Sequence, residues 1–349
     1  MTGTNQSFEW LRAAIEQQPS STEKSGRTVI WANGRKSLGL SRDQSGSIEL
    51  FVVGPELHAG RTEVSGCLTH QIWTTSDGTD LEASRLVLPG DANLPGVAAF
   101  VCAELLANGL EAEPQRAFTA TEPVIMLLLR ETAGRNQVLT GLVGELLALE
   151  ALTRHSPTPD HVADSWFGYG PSARDLQLGT VGVEVKTGTG SSSTHMVQGF
   201  HQIEVGHPVS GEPETKLYVL SVGIRWLEGG SSVGRTIPSL VDLIRARLSA
   251  GAASRFLARL LQYGGDAGTG YDHVRDRENP RFTRPWFATF ERLYDMTDER
   301  IRVLRSDDLQ GITHIDPASV TFQIRLPEQV DGVLNPVSGL EQIARKLTS

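Results

Sequence analysis

The sequence predicts a mixed α/β (α+β) fold: an αβββαβ mixed-sheet core, an N-terminal antiparallel β-rich module and a C-terminal α+β extension. Three observations carry this. Two apolar-alternating runs, residues 174–178 and 181–187, flank Gly179-Thr180, a two-residue hairpin turn. The clearest amphipathic helix, residues 136–154, precedes that hairpin, with Leu139, Leu142, Leu146 and Leu149 as its apolar stripe. A candidate helix at 195–205 and the most apolar strand, 216–226, follow it. The corresponding domains are the module at 1–120, the core at 121–250 and the extension at 251–349.

In chain order, Phe8, Leu11 and Ile15 recur at helical spacing and predict a helix over 8–18. Strand-like runs at 27–31, 37–41, 47–53, 64–75 and 83–89, punctuated by Gly, Asn, Asp and Ser, make the N-terminal module. Residues 94–110 form a helix that stops at Asn108-Gly109, and 122–131 a shorter one. After the 136–154 helix, residues 164–169 read as the first core strand and the hairpin supplies the next two. Thr194 caps the expected 195–205 helix. The run at 216–226, the most apolar strand of the chain, suits a central position. Helices at 238–248 and 252–263, a polar Arg-rich connector at 266–284 and a strand or short helix at 286–294 come next. Strands at 300–305 and 320–326 and a terminal helix at 340–347 complete the chain.

Composition bounds the function classes. With 39% hydrophobic and 21% charged residues, the chain has the balance of an ordinary soluble globular protein. No apolar run approaches the ~18 residues of a membrane span, and the N-terminus lacks the pattern of a signal peptide. Two cysteines, Cys67 and Cys102, exclude a Cys-rich zinc module and are expected as free thiols in a reducing cytoplasm. The net charge of −9 does not mark a nucleic-acid binder by itself. Residues 225–305, however, hold 14 arginines and no lysine against 10 acidic residues. The whole chain has five lysines, which makes Lys186 in a Val-rich strand conspicuous.

The hairpin is where chemistry gathers. Gly179 can take the positive φ that the first position of a type II′ turn needs. Counting outward from the turn, Leu178 faces Val181 and Asp175 faces Glu184, with cross-strand Cβ atoms about 5 Å apart. Lys186, two residues past Glu184, shares its face. Two opposed carboxylates destabilise a hairpin unless a cation neutralises them. That is a physical case for a divalent metal held by Asp175, Glu184 and the Val185 carbonyl. Mg²⁺ takes such hard oxygen ligands, with Mn²⁺ as a substitute, and leaves positions for water and phosphate. Lys186 suits holding the attacking water or stabilising charge on a phosphoryl group. Glu145 borders the buried leucine stripe, where a carboxylate needs a partner or a metal. Gly141 and Gly144 beside it would let the helix approach a sheet closely. Gln198 and Gln202, one turn apart on the expected helix, can position water or phosphate.

The residues Asp175…Glu184-Val185-Lys186, preceded by the Glu145 helix, resemble the PD-(D/E)XK nuclease superfamily, whose fold is restriction-endonuclease-like. More narrowly, GLVGELLALE, SARDLQL, GVEVKT and HQIE resemble bacterial PD-(D/E)XK proteins often encoded near restriction or phage-defence genes. The resemblance spans roughly residues 136–226. Arg174 stands where the Pro of the Pro-Asp dipeptide would be, and Pro171 lies four residues before Asp175. The resemblance implies a Mg²⁺-dependent endonuclease acting on double-stranded DNA in restriction or defence, as a homodimer or with partner subunits. It carries Asp175 and Glu184 over as metal ligands and Lys186 as the catalytic lysine, with Glu145 and Gln202 as further catalytic positions.

Other signals point elsewhere or nowhere. Arg275, Arg277, Arg281 and Arg284 can contact DNA phosphates, or form a solvated loop paired with Asp272, Asp276 and Glu278. His195, in the first turn of the expected helix behind a Gly/Ser loop, can touch phosphate. His195, His201 and His207, six apart, fall on opposite sides of a helix and do not converge as zinc ligands. The GTGSSS loop lacks the Gly-Lys-Ser/Thr ending of a nucleotide P-loop. Glu214-Thr-Lys216 repeats the Glu-x-Lys spacing but has no Asp-bearing strand before it, so it reads as surface. Two further classes of function stay open. One is a catalytically silent nuclease-fold subunit that binds DNA or a partner. The other is a purely structural hairpin, with the N-terminal module carrying an unrelated interaction.

Overall fold

Helical and alternating stretches assemble into two compact units, Met1–Arg135 and Asn136–Ser349. The computed structural model describes residues 2–21, 26–43, 47–75, 77–88, 94–170, 172–207, 209, 213–227, 233–264 and 270–348. Pro89, Pro171 and residues 266–269 of the expected connector lie outside them. No helix among the described residues is long and apolar enough to cross a membrane.

The first unit begins with α1 (Thr2–Gln17), β1 (Ile30–Trp31), β2 (Leu38–Arg42) and β3 (Ile48–Val53). It continues with α2 (Thr62–Ser65), β4 (Leu68–Thr74), β5 (Asp80–Leu88), α3 (Leu94–Ala107) and the first part of α4 (Pro114–His155). Its strands pair antiparallel in the order β1-β2-β3-β5-β4. Period-two alternation puts Leu38, Leu40, Ile48, Leu50, Leu86 and Leu88 on one face. That face packs on Leu11 and Ile15 of α1, Val101 and Leu105 of α3, and Phe118 and Ile125 of α4. Cys67 and Cys102 are free thiols.

The second unit takes the rest of α4, then α5 (Pro159–Asp164), β6 (Leu176–Leu178), β7 (Val181–Gly188), β8 (Thr194–Gln198) and a 3-10 turn at Phe200–Gln202. Next come β9 (Lys216–Trp226), α6 (Ile237–Arg245), α7 (Ala250–Gln262), α8 (Pro280–Thr283) and β10 (Trp286–Asp295). The chain closes with β11 (Thr321–Arg325), β12 (Val337–Ser338) and α9 (Leu340–Thr348). The main sheet has the order β12-β10-β9-β7-β6, with β9 central as its apolar run demands. It is mixed: β7 and β9 are parallel, and the other pairs are antiparallel. On one face Val183, Leu220 and Val222 pack under α4, α6 and α7. On the other, Leu217 and Val219 are covered by Val197 of β8 and Ile324 of β11, which form a separate two-stranded sheet.

The α+β class and its mixed core sheet are thus as the sequence indicates, but four elements differ. Residues 164–169 are not a strand: α5 runs to Asp164, and Trp166 makes one antiparallel bridge to Leu176. The expected 195–205 helix is β8 followed by the 3-10 turn. His195 and Val197 point inward while Met196 and Gln198 point out, a period of two, and Gly199 at φ 109° ends the strand. The helices at 122–131 and 136–154 are one helix, α4, that Gly134 does not interrupt. Residues 300–305 are irregular, because Asp298 and Asp331 draw Arg300 into a turn and Arg305 donates to the carbonyls of Ile203 and Met296.

Candidate active site

The β6–β7 hairpin has the register the turn dictates. Leu176 pairs with Val183 and Leu178 with Val181, around Gly179 at φ 60°. Asp175 falls one residue beyond the ladder. Its carbonyl accepts from the Phe167 and Gly168 amides at 2.8 and 3.2 Å, and its Oδ2 accepts from the Val185 amide at 2.7 Å. The carboxylate is therefore tied to the backbone beside Glu184 rather than lying across from it in a regular ladder.

Glu184 and Lys186 stand in register with Val219 and Ser221 of the neighbouring parallel strand, so all four share the face covered by β8. Lys186 Nζ lies 2.9 Å from Glu184 Oε1 and donates to Gln202 Oε1 at 2.8 Å. Gln202 Oε1 also accepts from the Gln198 amide at 2.8 Å. The two glutamines do meet, through the fold of a 3-10 turn rather than along a helix.

Glu145 comes from α4, on the other face of the sheet, and nears the hairpin at Asp175, on either side of Gly168. Trp166 Nε1 and the Tyr263 hydroxyl each donate to the Glu145 carboxylate at 2.6 Å, and the two rings stack. Its burial raises the carboxyl to about 7, against the pull of those two donors and with a further push from Glu184. Asp175 is held well above the usual carboxylate range, by burial and then by the charges of Glu184 and Glu145. The charge of Glu184 thus bears on both buried carboxyls.

Glycines make the crowding possible. A Cβ at Gly168 would lie 1.9 Å from Glu145 Oε2 and 3.0 Å from Asp175 Oδ1. A Cβ at Gly144 would lie 1.8 Å from Thr187 Oγ1, so this glycine sets how closely α4 approaches β7. A Cβ at Gly141 would lie 3.0 Å from the Tyr263 hydroxyl.

His195 needs correction. It is buried on β8, not at a helix start, and its Nε2 lies 2.7 Å from Ser221 Oγ. Burial and then the nearby Lys186 lower it to about 4, so it is neutral at physiological pH and the helix-terminus basis for a phosphate contact is gone. Glu214 is also not surface. Its side chain is fully buried and paired with Arg174, while Lys216 is half exposed with Asp295 at 3.9 Å. Arg275 pairs with Asp276 and Arg277 with Asp242, each at 2.8 Å. Arg281 lies over Phe282; Arg284 lies over Trp226 and donates to the Leu227 carbonyl.

Sequence reasoning missed Trp166, Tyr263, Arg174, Glu214 and Gly168. Strand alternation does not find Arg174, which would share the face of Leu176 but lies over Gly182 on the other face.

Over residues 8–283 the chain matches the family model described as "Putative PD-(D/E)XK family member, (DUF4420)". No curated protein and no solved structure matches.

Proposed function

The chain belongs to this PD-(D/E)XK family, and from that premise we propose that it is a Mg²⁺-dependent endodeoxyribonuclease. The observation that supports this reading best is the excess of acid at the hairpin. Burial and then the charge of Glu184 raise the proton affinity of Asp175 and Glu145, with Lys186 as the cation in contact with Glu184. A divalent cation fits such a site because it would relieve that repulsion with hard oxygen donors. Asp175, Glu184 and the Val185 carbonyl would hold it. When bound, it would polarise a phosphodiester and neutralise the charge that builds up during hydrolysis. Lys186, steered by Gln202, donates to a phosphate oxygen or to the attacking water. Glu145, at about 7, holds or releases a proton near neutral pH. The substrate is double-stranded DNA. A role in restriction or phage defence, with a homodimer or partner subunits to cut both strands, extends the same resemblance.

The test is incubation of the protein with plasmid, methylated and phage DNA in Mg²⁺ or Mn²⁺. Wild type is expected to cut, and an Asp175→Ala/Lys186→Ala variant is not. Equal cleavage by the two would remove the hairpin from the mechanism. One observation favours a second reading, the catalytically silent DNA- or partner-binding subunit. Among the described residues, no three His, Cys, Asp or Glu side chains form a ready metal cluster, and Lys186 already satisfies Glu184. That reading expects DNA retention that Glu184→Ala leaves unchanged, and no Mn²⁺ heat in calorimetry.

A further inference from the structure

The crossing from β7 to its parallel neighbour β9 would ordinarily be a helix, whose carbonyls are satisfied by amides four residues on. Here it is β8 and one 3-10 turn, which leaves carbonyls in need of donors. Two arginine side chains meet part of that need: Arg305 takes the Ile203 carbonyl, and Arg174 takes those of His201 and Glu204. Arg174 is wholly buried, and all five of its N–H groups are used. Nε and Nη2 donate to Glu214 Oε1 and Oε2, both at 2.6 Å. Nη1 donates to the carbonyls of Ala173 and His201, and Nη2 to that of Glu204 at 2.7 Å. Glu214 Oε2 accepts in addition from the amides of Gly206 and His207. The pair lies over Gly182 of β7, where a Cβ would be 1.9 Å from Glu214 Oε1.

We infer that the Arg174–Glu214 pair is a positioning device for the site. It rests on the nuclease reading above. Arg174 immediately precedes Asp175, and the two crossing-segment carbonyls it grips, His201 and Glu204, bracket Gln202. One planar guanidinium therefore fixes the turn whose glutamine steers Lys186. Neither residue touches the reacting atoms. Both act through Gln202. An arginine is required because only its rigid fork reaches a carboxylate and three carbonyls at once.

The experiment compares wild type with an Arg174→Met/Glu214→Met variant. Replacing both members of a buried ion pair by apolar side chains commonly preserves folding, whereas removing one leaves a buried charge. Expected are unchanged Mn²⁺ binding by calorimetry and unchanged KM for DNA, with kcat lower by roughly 100-fold. Amide exchange over 199–207 should quicken by roughly tenfold or more, while β7 and β9 stay protected. Gln202→Ala should cost a large factor in wild type and little in the Met/Met background, because its effect is already lost. Arg174→Lys, which keeps the charge but not the fork, should show the same kcat-only pattern and serves if Met/Met does not fold. The inference is overturned if either folded variant keeps wild-type kcat and slow exchange over 199–207. It is equally overturned if Gln202→Ala costs the same in both backgrounds. Absence of cleavage by wild type would instead overturn the nuclease reading, and the exchange data alone would then decide whether the pair fixes the turn.

Discussion

Glu145 shows how a single buried carboxyl can be put to a test. Its ordinary value is 4.5 and burial lifts it to about 7, so the folded protein holds this proton more tightly than the unfolded chain. The stability it contributes is therefore full below about pH 4.5 and lost as pH rises toward 7. Metal-free protein in EDTA should melt at a lower temperature at pH 8 than at pH 5, with Asp175 acting in the same direction. Glu145→Gln should flatten that slope. A Gln variant as steep as wild type in calorimetric melts would show that the proton is bound elsewhere. Beside it, Gly168 leaves no room for even a methyl group against Glu145 and Asp175. Gly168→Ala should cost about 1–3 kcal/mol in urea unfolding, as overpacking does, and displace Glu145 from Trp166 and Tyr263. An unchanged urea midpoint would contradict that account.

At the scale of elements, the approach of α4 to the end of β7 decides whether Glu145 can reach the hairpin at all. Gly144→Ala would set a methyl 1.8 Å from Thr187 Oγ1, so it should destabilise the fold by about 1–3 kcal/mol. Adding Thr187→Ala should recover most of that loss, since the remaining contact is a Cβ at 3.0 Å. Failure of the second change to rescue the first would mean that the helix, not the hydroxyl, is what cannot move. The hairpin register and the centrality of β9 were readable because alternation and a Gly turn are local properties of the chain. The crossing segment was not. Thr194–Gln198 becomes a strand because it pairs with Thr321–Arg325, more than a hundred residues away. Tyr263 meets Glu145, and Glu214 meets Arg174, across similarly silent separations. Tertiary pairing therefore overrode a plausible helix cap at Thr194, and no window around His195 could have disclosed that it is buried against Ser221.

For the molecule as a whole, the question is how a chain of net charge −9 would hold a polyanion. The arginine excess over 225–305 is the candidate, but much of it is already spent. Arg255 pairs with Asp164, Arg275 with Asp276, Arg277 with Asp242 and Arg300 with Asp298. Where both partners are exposed, as in Arg255–Asp164 and Arg277–Asp242, such pairs are weak, so a phosphate can displace the carboxylate at little cost. DNA affinity should then fall steeply with salt only to the extent that such arginines change partners. The Arg275→Ala/Arg277→Ala variant should lower the slope of log affinity against log salt by about 2 if both meet phosphates. Asp242→Asn, which releases Arg277, should strengthen retention at low salt. Arg284→Ala should behave differently. Its guanidinium lies over Trp226 and donates to the Leu227 carbonyl, so the variant should lose about 0.5–1 kcal/mol of stability and leave the salt slope alone. Filter binding of a DNA duplex across a salt series, with melts of the same variants, separates these outcomes. An unchanged slope in the double variant would move the phosphate contacts off this loop and onto another part of the chain.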